Sequence, residues 1–211
     1  MTKKQEAEKV FNEISKMYPN AKIELNYNQA HELLIAIMLS AQTTDVSVNK
    51  VTKKLFKDFH TIEDYAQADL KTLEKYIKQI GLYRNKAKNL KKMANMLIDE
   101  FDGHIPKEQK ELESLPGVGR KTANVFMTEY YKIPRIAVDT HVSRVSIRLG
   151  LAKKGDSPLQ VEKKLMNIYD KDLWIELHHK FIHFGRYFCK ARKPKCKECP
   201  LLSICKMPVL D

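Results

Sequence analysis

Four cysteines, Cys189, Cys196, Cys199 and Cys205, fall in one short loop-like segment with the spacing C-x6-C-x2-C-x5-C, and Pro200 follows the third. Thiolates packed this densely repel one another unless a metal neutralises them, so the spacing predicts a structural metal site. It leaves the metal open, because four thiolates suit either zinc or an iron–sulfur cluster. The same segment carries Arg186, Lys190, Arg192, Lys193, Lys195, Lys197 and Lys206 against a single acid, Glu198. A metal-tied loop of that charge is a rigid basic knob suited to phosphate contact; the plainer alternative is a solvated basic face.

A second constellation lies in Leu115-Pro116-Gly117-Val118-Gly119-Arg120-Lys121-Thr122-Ala123-Asn124. Two glycines after a proline and before a run of helix formers predict a tight turn feeding a helix N-terminus. There the unpaired N–H groups and the missing side chains let a phosphate approach the main chain. An ordinary corner with a glycine C-cap fits the glycines equally well. Arg120 and Lys121 tilt the balance, since cations at a helix N-terminus oppose the helix dipole and so answer to something outside the helix. For Lys121 the neighbouring cation, the dipole and burial under a docked partner all favour the neutral amine, a nucleophile able to form a Schiff base; phosphate contact is its commoner job. Asp139, in Val138-Asp139-Thr140-His141, reads as a helix N-cap and also as a carboxylate placed to stabilise positive charge on a reacting sugar. Gln42 sits in a polar break and Leu82 just after Gly81. Leu82 is either an apolar wedge for base pairs, with Arg84, Lys86 and Lys88 as flanking cations for the backbone, or a capping hydrophobe turned inward.

The elements that must hold these residues read as helices. Helical periodicity or helix-forming composition marks Thr2 to Tyr18, Asn28 to Leu39, a helix through Val46, Val51 and Phe56, then Asp69 to Gln79, Asn85 to Asp99, Pro106 to Ser114, Lys121 to Tyr131, Thr140 to Leu149, Pro158 to Ile168 and Asp172 to Tyr187. Leu33 to Leu39 is apolar all round and predicts a buried central helix. Ile136-Ala137-Val138 is the nearest thing to a strand and too short to build a sheet. No flexible linker divides the map, so any second domain is packed closely on the first.

Of 211 residues, 38 are Lys or Arg and 26 Asp or Glu, a formal charge of +12 that points to a polyanion, with nucleic acid ahead of an anionic membrane. The 43% hydrophobic share is that of a globular protein. The longest apolar run is too short to span a bilayer, and the N-terminal residues lack a signal-peptide pattern, so a cytoplasmic protein is expected, nucleoid-associated in a bacterium or nuclear in a compartmented cell. In that setting the cysteines are expected to form no disulfides.

Taken together, Leu34-Ile35-Ala36 with Leu39-Ser40-Ala41-Gln42, Ile80-Gly81-Leu82-Tyr83, the Leu115 to Asn124 stretch, Val138-Asp139-Thr140-His141 and the four cysteines closely resemble the endonuclease III family of helix-hairpin-helix DNA glycosylases. The resemblance implies an all-α protein of two closely packed domains. One is a six-helix barrel with the helix-hairpin-helix over 23–133; the other is an iron–sulfur domain from 1–22 and 134–211, with a DNA groove between them. It implies a [4Fe–4S] cluster on Cys189, Cys196, Cys199 and Cys205. It makes Lys121 the nucleophile and Asp139 its electrostatic partner, has Gln42 and Leu82 fill and wedge the opened stack, and puts Gly117, Val118, Gly119 and Arg120 on a backbone phosphate. The activity implied is removal of oxidised pyrimidines from double-stranded DNA by a monomeric enzyme, with cleavage 3′ to the abasic site by β-elimination. A mismatch adenine glycosylase shares the hairpin and cluster, but it lacks the nucleophilic lysine and adds a C-terminal recognition domain, whereas Lys121 is present and six residues follow Cys205. A non-catalytic DNA-binding or redox-sensing module would need neither Lys121 nor a carboxylate near the phosphates.

Overall fold

The computed structural model describes residues 2–210. The chain divides into two compact units, Met1–Ile23 with Lys132–Asp211, and Glu24–Tyr131. All regular structure among the described residues is helical, with no strand; Ile136, Ala137 and Val138 are buried chain without regular structure.

Helix α1 (Lys3–Met17) opens the terminal unit. Thr2 and Gln5 cap it reciprocally, the Gln5 amide donating to Thr2 Oγ1 and the Thr2 amide to Gln5 Oε1. Its stripe of Ala7, Val10 and Ile14 is buried.

The Glu24–Tyr131 unit is built on α2 (Ala30–Leu39), buried from His31 to Leu39. A helix with no polar face has to be surrounded, and α3 (Asp45–Asp58), α6 (Tyr83–Phe101) and α8 (Arg120–Glu129) pack on it. Short helices α4 (Ile62–Gln67) and α5 (Leu70–Ile77) cover α6, and α7 (Gln109–Ser114) packs on α8. Thr44, Thr61 and Asp69 cap α3, α4 and α5 through their side-chain oxygens. At the start of α2, the buried Glu32 carboxylate accepts the main-chain amides of Asn28 and Gln29. Helix α4 is absent from the periodicity reading because six residues burying only Ile62 and Tyr65 carry too little of a repeat.

In the terminal unit α9 (Thr140–Arg148), α10 (Pro158–Ile168) and α11 (Trp174–His183) share a core with α1, drawn from Val10, Ile14, Val142, Val145, Leu165 and Phe181 among others. The single helix expected over Asp172 to Tyr187 is broken into a 3-10 turn at Lys171–Leu173, α11, and a π-helical segment at Phe184–Phe188. Close packing accounts for the composition of that last segment. A Cβ built on Gly185 would stand 2.9 Å from His141 Cβ and 3.2 Å from His141 O, so α9 approaches the π-helical turn as only glycine permits. The turn ends on Cys189, whose amide donates to Phe184 O at 2.7 Å.

Substituting Gly185→Ala should therefore push α9 off this contact. A stability loss of about 1–3 kcal/mol is expected for overpacking, which lowers Tm by roughly 2–12 °C in a chain of this size. Thermal unfolding followed by circular dichroism checks it, and an unchanged midpoint would show the contact to be soft.

Candidate nucleic-acid interface and metal centre

Pro116 and Gly117 are the central residues of the turn between α7 and α8, closed by the Val118 amide donating to Leu115 O at 3.0 Å. Gly117 takes φ +83°, the value that the second central position of a type II turn requires. A Cβ there would also lie 2.8 Å from Met38 Sδ on α2 and 3.0 Å from Asn89 Cβ on α6. Gly119 is different: its backbone is extended, and a Cβ on it would meet nothing within 4 Å. It precedes α8 without a side-chain cap, which leaves a helix N-terminus open to an external anion. Val118 is buried and its amide is committed to Leu115 O, so it supports the turn and has no donor left for a phosphate. Arg120 is exposed and lies 3.8 Å from the Glu113 carboxylate, and Lys121, second residue of α8, is exposed.

Gln42 and Leu82 are both exposed, Leu82 to 57%, so the inward-packed reading of this leucine does not hold. Both have left-handed backbone, φ 53° and 59°, uncommon for residues other than glycine and asparagine and costly enough to need support. Their loops adjoin, since a Cβ on Gly81 would stand 4.0 Å from Gln42 O. Arg84 and Lys88 are exposed as flanking cations should be. Lys86 is not: it is 6% exposed, and its ammonium donates inward to Leu39 O, Ala41 O and Thr43 Oγ1, each at 2.8 Å. Its position on the buried face of α6 removes it from any phosphate.

Asp139 is the N-cap of α9, with Oδ1 accepting the His141 and Val142 amides, both at 2.8 Å. Both bonds use the same oxygen, so capping does not occupy the other. The same helix then grips the cysteine loop through two arginines one turn apart that sequence reasoning missed. Arg144 donates to Cys189 O at 3.1 Å and Gly185 O at 2.7 Å; Arg148 donates to Lys190 O at 2.7 Å and to Cys189 Sγ at 3.3 Å. Their i,i+4 spacing is a visible signal, but its target is main chain distant in sequence.

None of the four cysteines is paired in a disulfide, and all four line one cavity with Leu149, Phe184 and Phe188. Burial pushes the Cys199 and Cys205 thiols up, and the charges of neighbouring cysteines push the same way. A set of bare thiolates is thus disfavoured here and calls for a cationic centre. Among the described residues no three His, Cys, Asp or Glu side chains come together closely enough for a single metal ion. A lone tetrahedral zinc, about 2.3 Å from each sulfur, would need the sulfurs within about 4 Å of one another. Four thiols facing one apolar cavity leave room for a polynuclear group, the iron–sulfur alternative.

Residues 35–171 match the model of the HhH-GPD superfamily base excision DNA repair proteins, and residues 189–205 match the iron–sulfur binding domain of endonuclease III. The chain is 52% identical over 193 residues to endonuclease III of Bacillus subtilis, covering 92% of this chain and 88% of that one. With Escherichia coli endonuclease III it shares 44% identity over 188 residues, 89% of each chain.

The chain belongs to the endonuclease III family. It is a base-excision-repair DNA glycosylase with a [4Fe–4S] cluster. The fold agrees along its length with a solved trapped endonuclease III–DNA covalent intermediate, at a TM-score of 0.95 and 52% identity, covering 98% of this chain and 97% of that one. A thermostable thymine-DNA glycosylase shares the fold at 22% identity with a TM-score of 0.86.

The two hairpin glycines separate experimentally. Gly117→Ala meets both a left-handed backbone and two close neighbours, and about 1–3 kcal/mol of stability should be lost. Gly119→Ala has open space and ordinary backbone, and denaturant unfolding should place it within about 0.5 kcal/mol of wild type.

Proposed function

We propose that the enzyme binds double-stranded DNA through the α7–α8 turn and removes oxidised pyrimidines with Lys121 as nucleophile, then cuts the strand at the abasic site. The observation that carries this reading is the exposed Lys121 amine one residue into α8, directly after an open glycine turn suited to a phosphate. A backbone phosphate held by the main-chain amides of Gly117 and Gly119 and by Arg120 would set the strand in register with Lys121. Solved endonuclease III structures, one covalent and one non-covalent, are complexes with DNA, the same class of partner.

The damaged base is first flipped out of the duplex at a cost of about a few kcal/mol, less for a damaged or mispaired base. Gln42 and Leu82, held outward on strained backbone, enter the vacated stack. The Lys121 amine, its proton given up, attacks C1′ as the bond from C1′ to the base breaks; the base leaves with the bonding electrons and takes up a proton. Asp139 stabilises the positive charge that develops on the sugar. Ring opening gives a Schiff base, which acidifies the C2′ proton; loss of that proton expels the 3′ phosphate and cuts the strand.

Cys189, Cys196, Cys199 and Cys205 would hold the [4Fe–4S] cluster, which would cross-link the C-terminal loop. The basic side chains Lys190, Arg192, Lys193, Lys195 and Lys197 then form a firm surface for further phosphates, and binding should weaken steeply with salt. No helix among the described residues is long and apolar enough to cross a membrane. We place the enzyme in the cytoplasm as a monomer acting on chromosomal DNA.

Single-turnover assays on a duplex carrying one oxidised pyrimidine, read on denaturing gels, test the roles. Lys121→Gln should lower strand cleavage by at least about 10³-fold. Asp139→Asn keeps an equally good N-cap, so stability should stay within about 0.5 kcal/mol while base release falls about 10²–10³-fold. Full turnover by folded Asp139→Asn would confine this residue to capping. Gly119→Ala, neutral for stability, should weaken duplex binding about tenfold if the turn holds a phosphate.

A further inference from the structure

We infer that Lys86 is a positioning residue for lesion recognition, tying the Gln42 loop to the Leu82 turn so that both probes enter the duplex together. This rests on the stack-filling roles given above to Gln42 and Leu82.

The ammonium has three N–H donors and three acceptors at 2.8 Å, so its hydrogen-bonding capacity is met in full. The identity of the acceptors gives the bond set its meaning. Leu39 O lies at the C-terminal end of α2, where a cation is favoured by the dipole. Ala41 O and Thr43 Oγ1 come from the two residues that flank Gln42. The exposed Gln42 thus stands between two anchored neighbours, as a non-glycine residue at φ 53° requires if it is to hold one conformation.

The same residue also reaches the second probe. Lys86 lies one helical turn after Leu82, and its main-chain amide donates to Leu82 O at 3.0 Å, closing the first turn of α6 on the left-handed Leu82. One side chain and one amide of a single residue therefore connect both strained positions.

No carboxylate is among the three acceptors of this ammonium, and burial pushes its pKa down. Burying a cation is expensive even when its hydrogen bonds are satisfied. A methionine would fill the same volume without that cost, so simple packing does not account for a lysine here. Ordering the loop does.

The test uses the intact enzyme and a duplex with an uncleavable reduced abasic analogue opposite 2-aminopurine, whose fluorescence rises when the base is unstacked. Saturating amplitude is measured for wild type, Gln42→Ala, Leu82→Ala, Lys86→Met, Lys86→Arg and Thr43→Val, with thermal unfolding alongside. Lys86→Met should lose at least about threefold in amplitude, like the two probe variants, and Lys86→Arg should recover part of it. Thr43→Val, which removes one loop anchor and leaves the lysine its two carbonyls, should lose about twofold. If Lys86→Met does not fold, Thr43→Val decides alone. Wild-type amplitude in the Lys86 and Thr43 variants, with loss in the Gln42 and Leu82 variants, would overturn the inference even if the midpoints of unfolding fell. Wild-type amplitude in the Gln42 and Leu82 variants would instead overturn the roles on which it rests, and the inference with them.

Discussion

The site-bearing unit depends on the approach of one glycine main chain to two helices. Gly117 has left-handed backbone, and a Cβ on it would lie 2.8 Å from Met38 Sδ on α2 and 3.0 Å from Asn89 Cβ on α6. That contact sets the turn against the C-terminal end of α2 and the early turns of α6. The Gln42 loop leaves from the first of these ends and Leu82 caps the second. The turn proposed to hold a phosphate and the two proposed base probes are therefore referred to the same pair of helix ends. The wholly buried α2 acts as the fixed post, because a helix with no polar face cannot shift without exposing apolar side chains on every side.

In the terminal unit α9 has a comparable role. Asp139 caps its start, Arg144 and Arg148 hold the cysteine loop from its body, and Gly185 lets the π-helical turn close on its first residues. Both arginines bond main-chain carbonyls of the loop, so part of the loop's geometry comes from the protein rather than from the metal centre alone. The Asp139 carboxylate and the cysteine loop are thus referred to a single short helix.

Much of this could be read from residue types alone. The cysteine spacing, the glycine turn and the buried run at Leu33 to Leu39 have local causes, and local causes leave local signatures. What escaped reading was tertiary. Lys86 looked like one more cation beside Arg84 and Lys88, because composition does not say which face of α6 meets the Gln42 loop. Leu82 was ambiguous between wedge and cap until its exposure was seen. Helix α4 is too short for periodicity to show, and the break after α11 follows from the demand of α9 for a close neighbour at Gly185. Zinc and iron–sulfur remained equal on spacing because that choice depends on how far apart the thiols stand.

Lys121 as the covalent nucleophile is the claim on which the functional account turns. Borohydride added to the enzyme during turnover of a duplex with one abasic site reduces a Schiff base to a stable amine, and peptide mass spectrometry of the digested adduct identifies the bonded residue. The account predicts one adduct, with the sugar on Nζ of Lys121. An adduct on another lysine or on the N-terminal amine, or cleavage of the strand with no adduct, would contradict it.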